Sequence, residues 1–128
     1  MSVEDLRGGR VGRAGLLTEA QFDAAAEVLA RVAAEGLETL RLSFVDQHGL
    51  LRGKTLTPEA LAGAFRDGVA MTSTLLLKDT SHRTVFPVWG DGPGLGDGRL
   101  DGAGDVLMIP DPATFRILPH APAFPRPA

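Results

Sequence analysis

The sequence predicts an α+β domain, with a small mixed sheet and a helix packed across one face. Three observations carry that prediction. An apolar pattern of helical period follows a capping signal at Thr18, strict alternation comes directly after it, and a second capped helix follows the returning strand. A chain of 128 residues has room for one modest core. The hydrophobic fraction of 44% suits a folded chain, but only 5% is aromatic, so Leu, Val, Ile, Met and six Phe must fill the core.

Residues 1–17 mix Gly8, Gly9, Gly12 and Gly15 with Arg7, Arg10 and Arg13, and read as a flexible N-terminal arm. Glu4 and Asp5 dilute its charge, which argues against an arm that grips a phosphate polymer. Thr18 and Gln21 form a capping-box pattern. Phe22, Ala26, Leu29 and Ala33 then repeat on one helical face, and Gly36 ends a helix of about residues 19–35. Leu40, Leu42 and Phe44 alternate with Thr39, Arg41 and Ser43 as a half-buried strand. Asp46-Gln47-His48-Gly49 supplies turn chemistry, and Leu50 to Leu56 reads as the returning strand, with Arg52 and Lys54 exposed. Thr57-Pro58-Glu59 opens a second helix with Leu61, Ala64 and Phe65 inward and Gly68 at its end.

Val69 to Leu77 reads as a strand. Leu75, Leu76 and Leu77 in succession are more than one buried face absorbs, so self-association is expected. Val85 to Trp89, interrupted by Pro87, suits an edge or irregular piece. Residues 90–104 read as a Gly/Asp-rich loop. Val106 to Ile109 and Phe115 to Leu118 read as two short strands joined through Pro110-Asp111-Pro112. From Pro119 the proline-rich chain should be extended.

A net charge of −3 without a basic stripe argues against nucleic-acid binding. The absence of cysteine excludes disulfides and suits a reducing cytoplasm. No apolar run approaches the roughly 20 residues of a membrane span, and the N-terminus lacks a signal-peptide core. Mean hydropathy is +0.06. Gly49 to Thr55 approaches a P-loop but has three residues between its glycines instead of four, and no helix follows at once. Leu100 to Leu107 holds at most one imperfect copy of a calcium β-roll repeat, so a solvated turn that binds no calcium is expected. His48, His82 and His120 show no zinc-site spacing and read as surface histidines. Ser73 and Ser81 lack the nucleophile-elbow frame, and Asp79 and Asp111 are candidate acids without a paired carboxylate.

The order Leu42-Ser43-Phe44-Val45-Asp46-Gln47-His48-Gly49-Leu50-Leu51-Arg52-Gly53-Lys54 resembles the first hairpin of the glutamine synthetase family's N-terminal domain. The run Gly104-Asp105-Val106-Leu107-Met108-Ile109-Pro110-Asp111-Pro112-Ala113-Thr114-Phe115 is the more specific match, similar to the family's Asp-hydrophobic-Pro-Asp-x-x-Thr strand–turn–strand. The similarity covers residues 18–120, leaving 121–128 as a Pro-rich tail. It implies a β-grasp fold: one small mixed sheet against one main helix, with a preceding N-terminal helix. It also implies an ATP-dependent carboxylate–amine ligase that activates a glutamate γ-carboxylate as an acyl phosphate and captures it with ammonia or an organic amine.

In the family, the ATP site, the metal-binding glutamates and the phosphate-binding arginines lie in a larger C-terminal domain. ATP and Mg2+ are therefore implied for the complete enzyme and no cofactor for this chain. The implied partner is a glutamine synthetase-type catalytic domain or subunit in a homo-oligomeric ring, where the N-terminal domain of one subunit completes the site of the next. The chain alone is expected to be inactive, as part of a truncated, frameshifted or split enzyme; a stand-alone binding or regulatory module, or a remnant, stays open beside that reading. Where glutamine synthetases proper carry Phe-Asp-Gly-Ser-Ser, whose Asp helps bind ammonium, this sequence has Met71-Thr72-Ser73-Thr74. Thr72, Ser73 and Thr74 are thus the implied substrate-binding residues at an inter-subunit site. Without a carboxylate there, an organic amine is expected over ammonium, unless Asp79 fills the role in a shifted register.

Overall fold

In a computed structural model, the described residues are 1–85, 88–89 and 101–119. They fall into two compact units: Met1–Leu42, Lys54–Gly68 and the chain from Ile109 form one, and Ser43–Gly53 with Val69–Met108 form the other. The α+β class holds, with helices beside two-stranded antiparallel sheets. Residues 86–87 and 90–100, within the expected edge piece and loop, lie outside the described residues, as do His120 and the 121–128 tail.

The N-terminal segment corrects the flexible-arm expectation. Helices α1 (Val3–Arg7) and α2 (Arg10–Arg13) form there, and Leu6 and Val11 are fully buried. Ser2 and Asp5 cap α1 reciprocally: the Asp5 N–H donates to Ser2 Oγ at 3.1 Å and the Ser2 N–H to the Asp5 carboxylate at 2.9 Å. Two of its glycines, Gly9 and Gly12, supply room for a close approach of backbone. A Cβ on Gly9 would lie 2.1 Å from the Arg66 carbonyl oxygen, so only glycine lets the two backbones meet. There the Arg10 N–H donates to Asp67 Oδ1 at 2.8 Å, satisfying one of the free N–H groups at the start of α2.

The Thr18–Gln21 capping box forms as expected and opens helix α3 (Glu19–Ala34), with Gly36 at φ 60° just past its end. Its buried face is Phe22, Ala25, Val28 and Val32. Phe22 was expected inward, but Ala33 is exposed and Ala26 and Leu29 are only half-buried. The stripe turns toward the valines because they remove more apolar area from water than alanine does, roughly 1.5–3 kcal/mol for a full Val or Phe side chain. Strands β1 (Leu40–Val45) and β2 (Leu51–Leu56) pair as a hairpin, and Leu40, Leu42 and Phe44 take the more buried side of β1. Helix α4 (Pro58–Asp67) starts with Pro58 in its first turn, buries Leu61, Ala64 and Phe65, and ends at Gly68 with φ 76°. Leu6, α3, Leu40, Leu61 and Phe65 make one core, against which Phe115 packs.

Strand β3 (Val69–Thr72) pairs antiparallel with β4 (Asp105–Met108), in register Val69 to Met108 and Thr72 to Asp105. Among the described residues, two two-stranded ladders stand where the sequence pointed to one mixed sheet. The strand expected to run to Leu77 stops at Thr72, and Ser73–Leu77 form a 3₁₀ turn. Its tight winding buries Leu77 and half-buries Leu75 and Leu76, so the leucine run is no stripe on one strand face, and the expected self-association loses its premise. Phe115–Leu118 form no strand. A 3₁₀ turn at Pro112–Thr114 precedes them, capped by Asp111, whose Oδ1 accepts from the Ala113 N–H at 3.0 Å. The Thr114 hydroxyl donates to the Asp111 carbonyl at 2.8 Å, so the Pro-Asp-x-x-Thr run encodes a turn.

Candidate functional site

Within the second unit the hairpin turn is built around one carboxylate. Gly49, at φ 78°, lets the chain reverse between Asp46 and Leu50. Asp46 Oδ1 accepts from the backbone N–H groups of His48 at 2.8 Å and Leu50 at 3.0 Å. Its Oδ2 accepts from Arg52 Nε at 2.5 Å, and the two side chains are 1% and 7% exposed. Arg52 was expected on the surface; instead its guanidinium lies under the turn, drawn in by a carboxylate six residues earlier. Burial pushes the Asp46 carboxyl up, but the hydrogen bonds from Arg52, Leu50 and His48 outweigh it and hold its pKa below the usual value. Asp46, Gly49 and Arg52 of the family-like hairpin thus form a structural lock.

Loop residues 78–84 close on that lock. Arg52 Nη1 lies 3.0 Å from His82 Nε2, while Arg52 Nη2 is buried without a hydrogen-bond partner. His82 has φ 65°, unique among the non-glycine described residues, and its backbone N–H donates to the Asp79 carbonyl at 3.1 Å. The Lys78 carbonyl lies 3.2 Å from both Gln47 Nε2 and His48 Nε2. His48 and His82 are exposed, as expected, yet each fastens the loop to the hairpin turn. Asp79 Oδ1 accepts from the Ser81 and Arg83 N–H groups at 2.8 Å each, so this candidate acid organises its own loop. Asp111, the other, caps a turn. Neither is placed as a proton-transfer group by these contacts.

The hydroxyl triplet Thr72-Ser73-Thr74 spans the change from β3 to the 3₁₀ turn. Thr72 Oγ1 and Thr74 Oγ1 lie 3.1 Å apart, both half-buried, whereas Ser73 Oγ is buried with no hydrogen-bond partner. The Ser73 N–H donates to the Gly104 carbonyl at 2.8 Å, continuing the ladder by one step. Thr72 and Thr74 therefore offer hydroxyls, and Ser73 does not. The sequence reading missed Asp105. It stands directly across the ladder from Thr72, and opposed residues share a sheet face with Cβ atoms about 5 Å apart. The triplet lacks a carboxylate in sequence but has one beside it in space. Strand pairing supplies that neighbour, and only the Gly-Asp-Val-Leu-Met run, read as the partner of Val69–Thr72, could have signalled it.

Among the described residues no three His, Cys, Asp or Glu side chains converge to hold a metal ion. No helix there is long and apolar enough to cross a membrane.

Over its matched stretch the chain belongs to the glutamine synthetase family. The similarity is to a γ-glutamylanilide synthase from Acinetobacter sp., 43% identical over 109 residues, 83% of this chain. The chain spans 22% of that relative's length. No family model matches it.

Proposed function

We propose that this chain is the amine-side domain of a glutamine synthetase-like, ATP-dependent ligase that joins the γ-carboxylate of glutamate to an organic amine. The observation that carries the reading is the 43% identity to an enzyme named for making γ-glutamylanilide, an amide of that carboxylate with an aromatic amine. The β-grasp architecture and completion of a neighbouring subunit's site belong to the same proposal. So does the division of labour, in which ATP and magnesium are handled by another part of the enzyme. Thr72, Thr74 and Asp105 would meet the amine. A carboxylate suits an amine that passes through a positively charged state as it attacks, and two hydroxyls can accept its N–H groups.

A chimera tests this. The matched stretch of the Acinetobacter synthase is replaced by the corresponding residues of this chain. ADP release with glutamate, magnesium and a series of amines is then followed, with products identified by mass. A γ-glutamyl amide of an organic amine is the expected product, while the 128-residue chain alone gives none. A folded chimera that turns over no amine, in parallel with an active parent synthase, refutes the proposal. Ammonium as its best substrate refutes the organic-amine preference.

A further inference from the structure

Trp89 is the sole tryptophan in the sequence, and 74% of it is exposed. Such a ring is normally withdrawn from water, because burying it contributes several kcal/mol in a core or interface. Here it is displayed on a firm support. The preceding Val88 is 6% exposed and anchors the segment, and its carbonyl accepts from the Gly102 N–H at 2.8 Å. Gly102 has φ 74°, and a Cβ placed there would lie 3.7 Å from the indole Cζ3. The six-membered edge of the ring thus rests beside a glycine backbone while most of its surface stays open.

The same short segment reaches the hydroxyl edge. Gly102 is hydrogen-bonded to Val88, and Gly104 to Ser73. Two residues of extended chain span at most about 7 Å, so the displayed indole and the Thr72–Thr74 turn flank one stretch of backbone within the second unit. A planar ring attached to an amino group fits this pairing: the ring meets the indole and the nitrogen meets Thr72, Thr74 and Asp105. Ammonium and alkylamines lack the part that Trp89 would contact.

We propose that Trp89 is a specificity-determining residue that stacks on the ring of an aromatic amine, and that this juxtaposition selects arylamines over ammonium. The inference rests on the amine-ligase reading and names its substrate class.

The test uses the intact 128-residue chain and two-dimensional NMR, with the single indole N–H as the reporter. Aniline is titrated first. Benzylamine is then compared with cyclohexylmethylamine, which carries the same charge without the aromatic ring. Saturable shifts of the Trp89 indole and of the Gly102 and Thr72–Thr74 amides are expected with aniline and benzylamine. Binding of cyclohexylmethylamine should be roughly three- to tenfold weaker, the range an aromatic pair supports. Trp89→Leu should weaken benzylamine binding by a similar factor, and Trp89→Phe should restore most of it. Equal binding of the two cations, shifts that bypass Trp89, or unchanged affinity in Trp89→Leu overturns the proposal. ATP chemistry does not enter this measurement. A chimera active on amines together with a chain that shows no ring-selective binding would reject Trp89's role and leave the ligase reading standing.

Discussion

Replacing Leu6 with alanine distinguishes a docked N-terminal segment from a free one. The side chain has no solvent exposure and belongs to the core formed with Phe22, Val28, Leu61 and Phe65. Truncating a buried leucine costs about 2–5 kcal/mol, from lost transfer free energy and from the cavity left behind. The lower part of that range applies here. Helix α1 has only five residues, and so short a piece detaches locally once its anchor fails, which limits the loss to its docking free energy. An unfolding entropy of about 2.1 cal/mol/K per residue converts roughly 2–3 kcal/mol into a fall in Tm of about 7–11 °C for a chain of this length. Thermal unfolding followed by circular dichroism measures it, with the exposed Leu16→Ala as a control expected to move Tm by less than about 2 °C. Gly9→Ala should also lower Tm, because its Cβ would meet the Arg66 carbonyl. The double variant should lose little more than the worse single one, since both release the same segment. A Leu6→Ala protein melting within 2 °C of the wild type would mean that α1 is undocked and that the flexible-arm reading was right.

Asp46→Asn should be less stable than wild type at pH 7, with a narrower gap at pH 3. The folded-state pKa of Asp46 lies below its unfolded value, so its contribution is present above the ordinary carboxylate range and is lost as pH falls through the folded pKa. Urea midpoints at the two pH values measure this, and a gap independent of pH would contradict the assignment. Ser73→Ala should leave stability unchanged or slightly raised, because its buried hydroxyl has no partner to lose; an unfolding free energy from urea titration lowered by more than about 1 kcal/mol would reveal a hydrogen bond at Ser73 Oγ.

What the sequence disclosed was mainly local. The Thr18–Gln21 box, the alternation through Leu40, Leu42 and Phe44, Pro58 at the start of α4 and Gly68 at its end depend on neighbours a few residues apart, and each appears where expected. What stayed hidden depends on partners far along the chain. Gly9 looked like a flexible spacer because nothing near it reveals that Arg66 packs there. Arg52 looked solvated because a turn must form before Asp46 can reach it. The hydroxyls of Thr72 and Thr74 were legible as residue types, but Asp105 joins them only through pairing of β3 with β4. The turn after Thr72 was hidden by the apolar Leu75-Leu76-Leu77 run, which satisfies a strand pattern as readily as a tight helix.

The bond from Arg10 to Asp67 also has a consequence for synthesis. Its partners are 57 residues apart. At roughly 5–20 residues per second, the segment carrying Leu6 and Val11 leaves the ribosome about 3–11 s before the end of α4 that receives it. During that interval α3 can wind on its own cap, but Leu6 and Val11 still lack the α4 surface that α1 and α2 pack against. Fixing the amino end is therefore a late event, completed only when Gly9 slides against the finished turn at Arg66, and a nascent chain stalled before Asp67 would present Leu6 and Val11 to chaperones.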